Sequence, residues 1–591
     1  TTAKVEKRPP STDEERTLQR LFALVLNLQP ITIGADDSFF RLGGDSIAAM
    51  KLVGTAREEG LTLTVADVFN HPKLSDLARV MHIDVLGSIP QMMPLSLIKE
   101  ENREYLSEMA MQQCDLDRTL IEAKISQRII EVLPTSEFQR MTLSQFYCRY
   151  IWISLPDNVD QTRLLVACQQ LVQHHAILRT AFAIKPSDDN HASEVVQLVL
   201  GTLDVQFIQH DAVTDLAAFC AEDSTTMAIP TDGQPPFQIH LVTLQPDAQR
   251  MLVFRLPHAQ FDGLSISVIC GDLAIAYNGQ PLPLAASYAD HIHSIAAKRT
   301  HEAYRLWRRV LQGAEMTSLV GLRLHGNPEK QENGTMKSVR EGTEPLVLRA
   351  TKRILLYTPP SSITMATVVK TAWGLALMQL LASHRTPDEN KNSFQDVVFG
   401  QVVHGRGLGI AHEDRIVGPC LNIIPVRMRI PLSTATNNDN DSKNKSALLL
   451  QVHQQHIETM PYENLGLQEI VQHSTAWPLT TKFGSFVRFQ NFDEGSCMLD
   501  GVPCETRLYS LPNRPSNTAN VLVVVTKTHL EVTITVSDGV VNQKHADGIV
   551  NRFCDLIQDL SSDIASLASY SLCSQDALAS ISRQPHSHPD F

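Results

Sequence analysis

Near the start of the chain, apolar residues recur three and four positions apart in four short stretches. Leu18, Leu21, Phe22, Val25 and Leu26 follow Glu14 in the first, with Ile31 and Ile33 just beyond; Ile47, Met50, Leu52 and Val53 make the second; Val65, Val68 and Phe69 the third; Leu74, Leu77 and Ala78 the fourth. That spacing puts the apolar side chains on one face of a helix, so residues 12–84 predict a small all-α four-helix domain. Past Arg79 the periodicity fades. Residues 81–97 carry Gly87, Pro90 and Pro94 and read as a linker, set at 85–103.

From 104 to 591 the pattern is longer and mixed. Helical spacing over 105–130 leads into 129–134 and 145–153. Strand signals at 195–200, 205–208, 238–244, 251–256, 397–402, 423–430, 486–489, 521–526 and 530–536 then alternate with helix signals at 161–174, 265–277, 288–310, 363–381, 446–462 and 544–560. Residues 325–344 and the Asn/Asp/Lys-rich run at 434–446 are polar enough to read as solvated loops. The class is mixed α/β or α+β, with no short internal repeat.

Composition narrows the function. A chain of 591 residues is too long for one core. The formal charge of -13 comes without a basic block, which argues against a nucleic-acid partner. Apolar runs such as 521–525 fall far short of the ~20 residues of a membrane span, so no membrane partner is expected either. The ten cysteines form no C-x-x-C pair, which predicts reduced thiols in the cytoplasm rather than a disulfide framework or a zinc site. The pair His174-His175 has no carboxylate or thiol at ligand spacing and reads as core or surface, so no metal is expected.

The first candidate site is the run Asp36-Asp37-Ser38-Phe39-Phe40-Arg41-Leu42-Gly43-Gly44-Asp45-Ser46-Ile47. It sets one hydroxyl, Ser46, at a glycine turn where a helix begins, and free N–H groups at a helix start suit a phosphate ester. Position by position the run resembles the attachment motif of the thiolation (peptidyl carrier) domains of nonribosomal peptide synthetases. The resemblance implies that Ser46 carries 4′-phosphopantetheine, added by a phosphopantetheinyl transferase, and that its thiol holds an acyl or peptidyl group.

The second candidate site is Pro257-His258-Ala259-Gln260-Phe261-Asp262-Gly263-Leu264-Ser265, where an apolar strand ends at a histidine and a glycine turn opens a helix. An imidazole is the side chain whose ordinary pKa, about 6.5, suits a general base near neutrality. This segment resembles the H-H-x-x-x-D-G motif of condensation domains from the same synthetases. So do 174–182 (R-H-x-x-L-R-T-x-F), 304–311 with Trp307 (Y-W-x-x-x-L) and 416–425 with Asn422 (G-P-x-x-N-x-x-P), together with Pro461-Tyr462-Glu463-Asn464-Leu465-Gly466 and Phe489-Gln490-Asn491. The resemblance implies a two-lobed α/β domain of the chloramphenicol-acetyltransferase-like condensation fold over 104–591, with an N-lobe about 131–300 and a C-lobe about 301–575.

It also implies roles: His258 as general base, Asp262 as an orienting carboxylate held in an ion pair with Arg179, Ser265 as support for the loop or the oxyanion or else a helix cap, and Asn422 and Trp307 as framework. Pro257 replaces the first histidine, and Asp262 with Ser265 is similar to the S-H-x-x-x-D-x-x-S/T tail of fungal terminal condensation domains, including those of fumiquinazoline-type synthetases. The domain follows its carrier and no second carrier comes after it. The expectation is therefore that it releases the peptide on Ser46 by intramolecular amide formation, with upstream synthetase domains as partners. Rivals are an ordinary condensation with an outside amine, an epimerisation domain and a non-catalytic docking module. Val402 and Val403 stand where epimerisation domains carry a glutamate ahead of H-G-R, which argues against that rival. The run His404-Gly405-Arg406-Gly407-Leu408-Gly409 lacks the order of a dinucleotide loop.

Overall fold

A computed structural model describes residues 7–83, 97, 129–143, 148–185, 194–225, 234–319, 346–357, 359–360, 363–382, 394–431, 438–491, 497–510, 518–538 and 540–562. Apart from residue 97, the linker read at 85–103 lies outside them, as do the helical pattern at 105–128 and the polar stretch at 325–344.

Four helices form where the apolar spacing predicts them: α1 (Asp13–Leu26), α2 (Ser46–Glu58), α3 (Val65–Asn70) and α4 (Leu74–Val80). Side-chain caps fix the starts of the first three. The Thr12 hydroxyl accepts from Glu15 N–H at 3.2 Å, and Thr64 and Asp67 cap α3 reciprocally. Leu18, Leu21, Phe22, Phe39, Leu52, Val68 and Leu77 are fully buried in one core. Burying each such side chain stabilises by about 1.5–3 kcal/mol.

The first lobe of the larger domain contains β1 (Ile129–Pro134), β2 (Cys148–Ser154), α5 (Gln161–His174), β3 (Thr180–Lys185), β4 (Glu194–Leu200), β5 (Ile208–Val213), β6 (Gln238–Leu244), β7 (Gln249–Pro257) and α6 (Gly263–Tyr277). β2, β7, β6 and β5 lie side by side in one sheet, and β1, β4 and β3 form a second. Helices α5 and α6 pack on each other and share a core with Leu252, Phe254 and Leu256 of β7.

Helix α7 (Tyr288–Ala297) still packs in the first lobe's core through Tyr288 and Ile292. The second lobe adds α8 (His301–Leu311), β8 (Val347–Leu355), α9 (Met365–Ala382), β9 (Phe394–Val403), β10 (Asn422–Pro431), α10 (Asn438–Thr459) and β11 (Ser485–Gln490). Strand β12 (Thr506–Ser510) then crosses back and pairs antiparallel with β2 at the edge of the first lobe's sheet, Tyr509 opposite Tyr150. The chain returns through β13 (Ala519–Val525), β14 (His529–Ser537) and α11 (Gln543–Ser562), completing a six-stranded sheet in the order β8-β14-β13-β11-β9-β10. Among the described residues α9 is long and apolar enough to cross a bilayer by length and composition. It is 67% buried inside its lobe, against α11 and β9, as a helix apolar on every face must be in a packed domain.

Four of the differences from the sequence reading have a plain physical reason. The helix read at 288–310 is two: the first ends at Ala297, and Thr300 caps the second by accepting from Ala303 N–H at 3.2 Å. Helix α10 begins at Asn438, within the polar run read as loop; once nucleated by its packed half, a helix propagates at little cost into Ser, Lys and Asp. The strand read at 205–208 lies at 208–213, in register with its parallel partner from Ile208 opposite His240. Strand β8 carries Arg349, Lys352 and Arg353 on a sheet edge, where charge replaces the apolar alternation that the reading relied on.

Candidate active site

Ser46 is the first residue of α2 and is partly exposed. The turn before it depends on two glycines. Gly43 has φ of +100°, and a Cβ on Gly44 would lie 2.4 Å from the Phe39 ring. Asp45 caps the helix, its Oδ1 accepting from Ala48 N–H at 2.8 Å, while its Oδ2 accepts from Asn491 Nδ2 at 2.6 Å. Asn491 directly follows β11, so the serine turn is tied to the second lobe. Burial pushes the Asp45 carboxyl above its ordinary pKa.

The centre of that interface is apolar. Ile457 of α10, 8% exposed, joins the core of the four-helix domain, with Leu264 and Met460 packed beside it. The Phe69 ring lies 5.6 Å from His456 and 6.3 Å from His453. Glu58 and His412 close the edge at 3.2 Å.

His258 stands in the turn after β7. Gln260 N–H donates to Pro257 O at 2.8 Å, and Gln260 Nε2 donates to the carbonyls of Ile177 and Thr180. Pro257 ends its strand, where a missing N–H costs no sheet hydrogen bond. The imidazole stacks on Phe261 at 4.9 Å and meets Phe138 edge-on at 5.1 Å. Its Nδ1 is 2.9 Å from Phe261 O, a pure acceptor, so Nδ1 carries the hydrogen and Nε2 the lone pair. Burial, aided by the Arg149 and Arg488 guanidiniums, lowers its pKa to about 4, so the ring is unprotonated at neutral pH.

Ser46 and His258 line the same cavity, of about 590 Å³, between the four-helix domain and the two lobes. Phe69, His404, His456 and Arg488 also face it.

Asp262 does not face Arg179. Arg406 Nη1 donates to Asp262 Oδ2 at 2.6 Å and Nη2 to Oδ1 at 3.0 Å, with both side chains buried. Arg179, at the end of the turn after α5, instead donates to the carbonyls of Val172, Gln173 and Leu200 at 2.7–3.1 Å. The reason is local: the last carbonyls of a helix have no partner inside it and attract a cation. Asp262 also caps α6, accepting from Ser265 N–H and Oγ, and it takes Cys420 N–H at 3.1 Å. Burial alone would raise its pKa; Arg406 and Ser265 outweigh burial and hold it below the ordinary value. Ser265 is fully buried, and its hydroxyl also bonds Gly418 backbone. It is a cap and does not reach the cavity.

Asn422 Nδ2 donates to the carbonyls of Glu463 and Leu465 at 2.8 Å each, and Trp307 is fully buried. The pair His174-His175 does meet a carboxylate: His175 Nε2 is 2.8 Å from Asp272, with His174 near enough to complete a three-ligand cluster. Residue spacing could not reveal this, because Asp272 comes from α6, 97 positions away. Arg415 pairs with the same carboxylate and is charge enough to answer it. Arg406 and His404 were the functional candidates that sequence reasoning missed; the signal was an arginine inside an otherwise apolar glycine-rich run.

Residues 136–580 match the family described as Condensation domain, and residues 16–81 match the family described as Phosphopantetheine attachment site. The chain is 44% identical over 93% of its length to "Nonribosomal peptide synthetase chyA" of Penicillium rubens. It is 29% identical over 94% of its length to "Nonribosomal peptide synthetase fmqA" of Aspergillus fumigatus. It spans 22% and 13% of those two proteins. A solved structure titled "The crystal structure of holo T3CT" has the same fold, with a TM-score of 0.63 and 24% identity over 80% of this chain and 98% of that one.

Proposed function

The chain belongs to the condensation-domain family and carries a phosphopantetheine-attachment domain ahead of it, and we propose that the two act as one unit of a fungal nonribosomal peptide synthetase that releases a cyclic peptide from its own carrier. The observation that carries this reading is that Ser46 and His258 line one cavity.

The cofactor is 4′-phosphopantetheine, and the surroundings of Ser46 fit it: a partly exposed residue on the first turn of α2 that lines the cavity. When bound there it supplies the thiol that holds the acyl group as a thioester. Upstream synthetase domains and a phosphopantetheinyl transferase are the partners this requires.

His258 takes the proton that the attacking nitrogen sheds. A base with a pKa of about 4 is weak against a free amine but well matched to the strongly acidic ammonium present once the C–N bond has formed, and general bases contribute about 10²–10⁴ in rate. Asp262 and Arg406 hold the loop that presents it. Orientation does more: holding both ends of one peptide together supplies effective molarities of about 10⁵–10⁸ M in well-aligned cases. The Pro257-His258 and Asp262-x-x-Ser265 pattern supports release over chain extension.

The test is to load a synthetic peptidyl pantetheine onto Ser46, weigh what leaves, and hydrolyse what stays on Ser46 for chiral chromatography, since epimers have equal mass. A cyclic product minus nothing but the carrier thiol supports the reading. A linear amide with an added amine makes this an ordinary condensation domain, an epimerised peptide still on Ser46 makes it an epimerisation domain, and an unchanged load makes it a docking module.

A further inference from the structure

We propose that His404 is a second catalytic residue, the hydrogen-bond donor that meets the acyl oxygen while His258 meets the attacking nitrogen. The inference rests on the acyl-transfer reading of the cavity and adds a group to it.

The geometry fixes which hydrogen each ring carries. Arg406 N–H donates to His404 Nδ1 at 3.0 Å, so that nitrogen holds a lone pair and the hydrogen of the neutral ring is on Nε2. His258 is the opposite tautomer, its Nδ1–H on Phe261 O and the ring's lone pair on Nε2. The two rings line one cavity, one from each lobe, and they differ in the one property that matters there: His258 accepts and His404 donates.

Their loops are locked together. Two residues after His404, Arg406 forms the buried ion pair with Asp262, four residues after His258. Between them Gly405 adopts φ of +63°, and a Cβ there would lie 1.9 Å from Cys420 O, so the turn that aims His404 admits little variation. Burial, with Arg406 beside it, lowers the His404 pKa to about 4, which keeps the ring neutral.

The reaction needs such a donor. As nitrogen attacks, negative charge grows on the acyl oxygen, and a preorganised donor there is worth about 10²–10³ in rate. Ser265, the donor suggested by the sequence, is sealed off and committed to Asp262 and Gly418.

The test uses the unloaded protein. Calorimetry compares binding of a soluble phosphonate analogue of the acyl ester, which carries an anionic oxygen in place of the acyl oxygen, with that of the matching ketone. His404→Phe is expected to weaken the phosphonate about 100-fold and the ketone by no more than about threefold, and His404→Gln, which keeps a side-chain N–H, to recover phosphonate binding to within about tenfold. Phosphonate affinity unchanged in His404→Phe, an equal loss for both ligands, or no recovery in His404→Gln overturns the assignment. Turnover of a soluble acyl thioester separates the two readings. If His258→Ala turns over at the wild-type rate, the acyl-transfer reading falls; if it loses about 10²–10⁴ in rate while His404→Phe runs at the wild-type rate, only the His404 assignment falls.

Discussion

Arg406 and Asp262, 144 positions apart in sequence, meet as a buried two-pronged ion pair with N···O distances of 2.6 and 3.0 Å. It joins the turn after β9 in one lobe to the cap of α6 in the other, and so sets the separation of His404 from His258. Removing one partner of a buried pair leaves the other charge unanswered, at a cost of about 3–5 kcal/mol. Asp262→Asn and Arg406→Met should each destabilise the domain by that order, and the double variant should lose clearly less than the sum. Urea denaturation of the four proteins measures it; strictly additive losses would mean that the two groups are not coupled.

The helices of the small domain were legible because each has one apolar face and three of the four have a polar cap, as in Leu18, Leu21 and Phe22 behind Thr12. Both reactive positions were legible for the same kind of reason: each sits at the end of a regular element, Ser46 where a helix starts and His258 where a strand stops. The partner of Asp262 was not. Arg179 and Arg406 are both arginines in apolar surroundings, and only the topology tells that Arg179 is already committed to two carbonyls at the end of α5 and to Leu200 O at the end of β4. Asp272 beside His175 and Asn491 beside Asp45 escaped for the same reason, since contacts between distant segments leave no local period.

His258 sets the acid limb of the reaction. An ordinary imidazole would lose its lone pair below pH 6.5; this one, lowered by burial to about 4, should keep it. Product formation, corrected for titration of the amine, is expected to stay level from pH 8 to about 5 and to fall only as pH nears 4. Rates measured by rapid quench on loaded protein check this. A fall centred near pH 6.5 would mean that the ring is well solvated or is not the base. His258→Ala should lower the plateau by about 10²–10⁴ and leave the loading of Ser46 unchanged.

Docking of the carrier should be separable from chemistry. Ile457 belongs to α10 of the second lobe but is buried in the core of the four-helix domain. Ile457→Asp places a charge in that apolar contact without touching the cavity chemistry. Turnover of a substrate carried on Ser46 is expected to drop at least tenfold, the equivalent of about 1.4 kcal/mol, while turnover of a soluble thioester stays at the wild-type rate. Equal losses with both substrates would show that the contact does not guide delivery.

Buried neutral histidines tie folding to pH. Burial lowers His258, His404 and His453 to about 4 and His291 to about 3, against about 6.5 in the unfolded chain. Between those values the unfolded chain binds more protons than the folded one, so stability rises with pH across that window. It is complete above about 6.5, drains away as pH falls toward 4, and these groups remove no more below about 3. His453 lies against the carrier's Phe69, so protonating it also opposes docking. The melting temperature should fall between pH 7 and pH 4.5, and His453→Leu should make that fall shallower. A melting temperature that stays flat over this range would mean that these rings are hydrated and titrate as free imidazoles do.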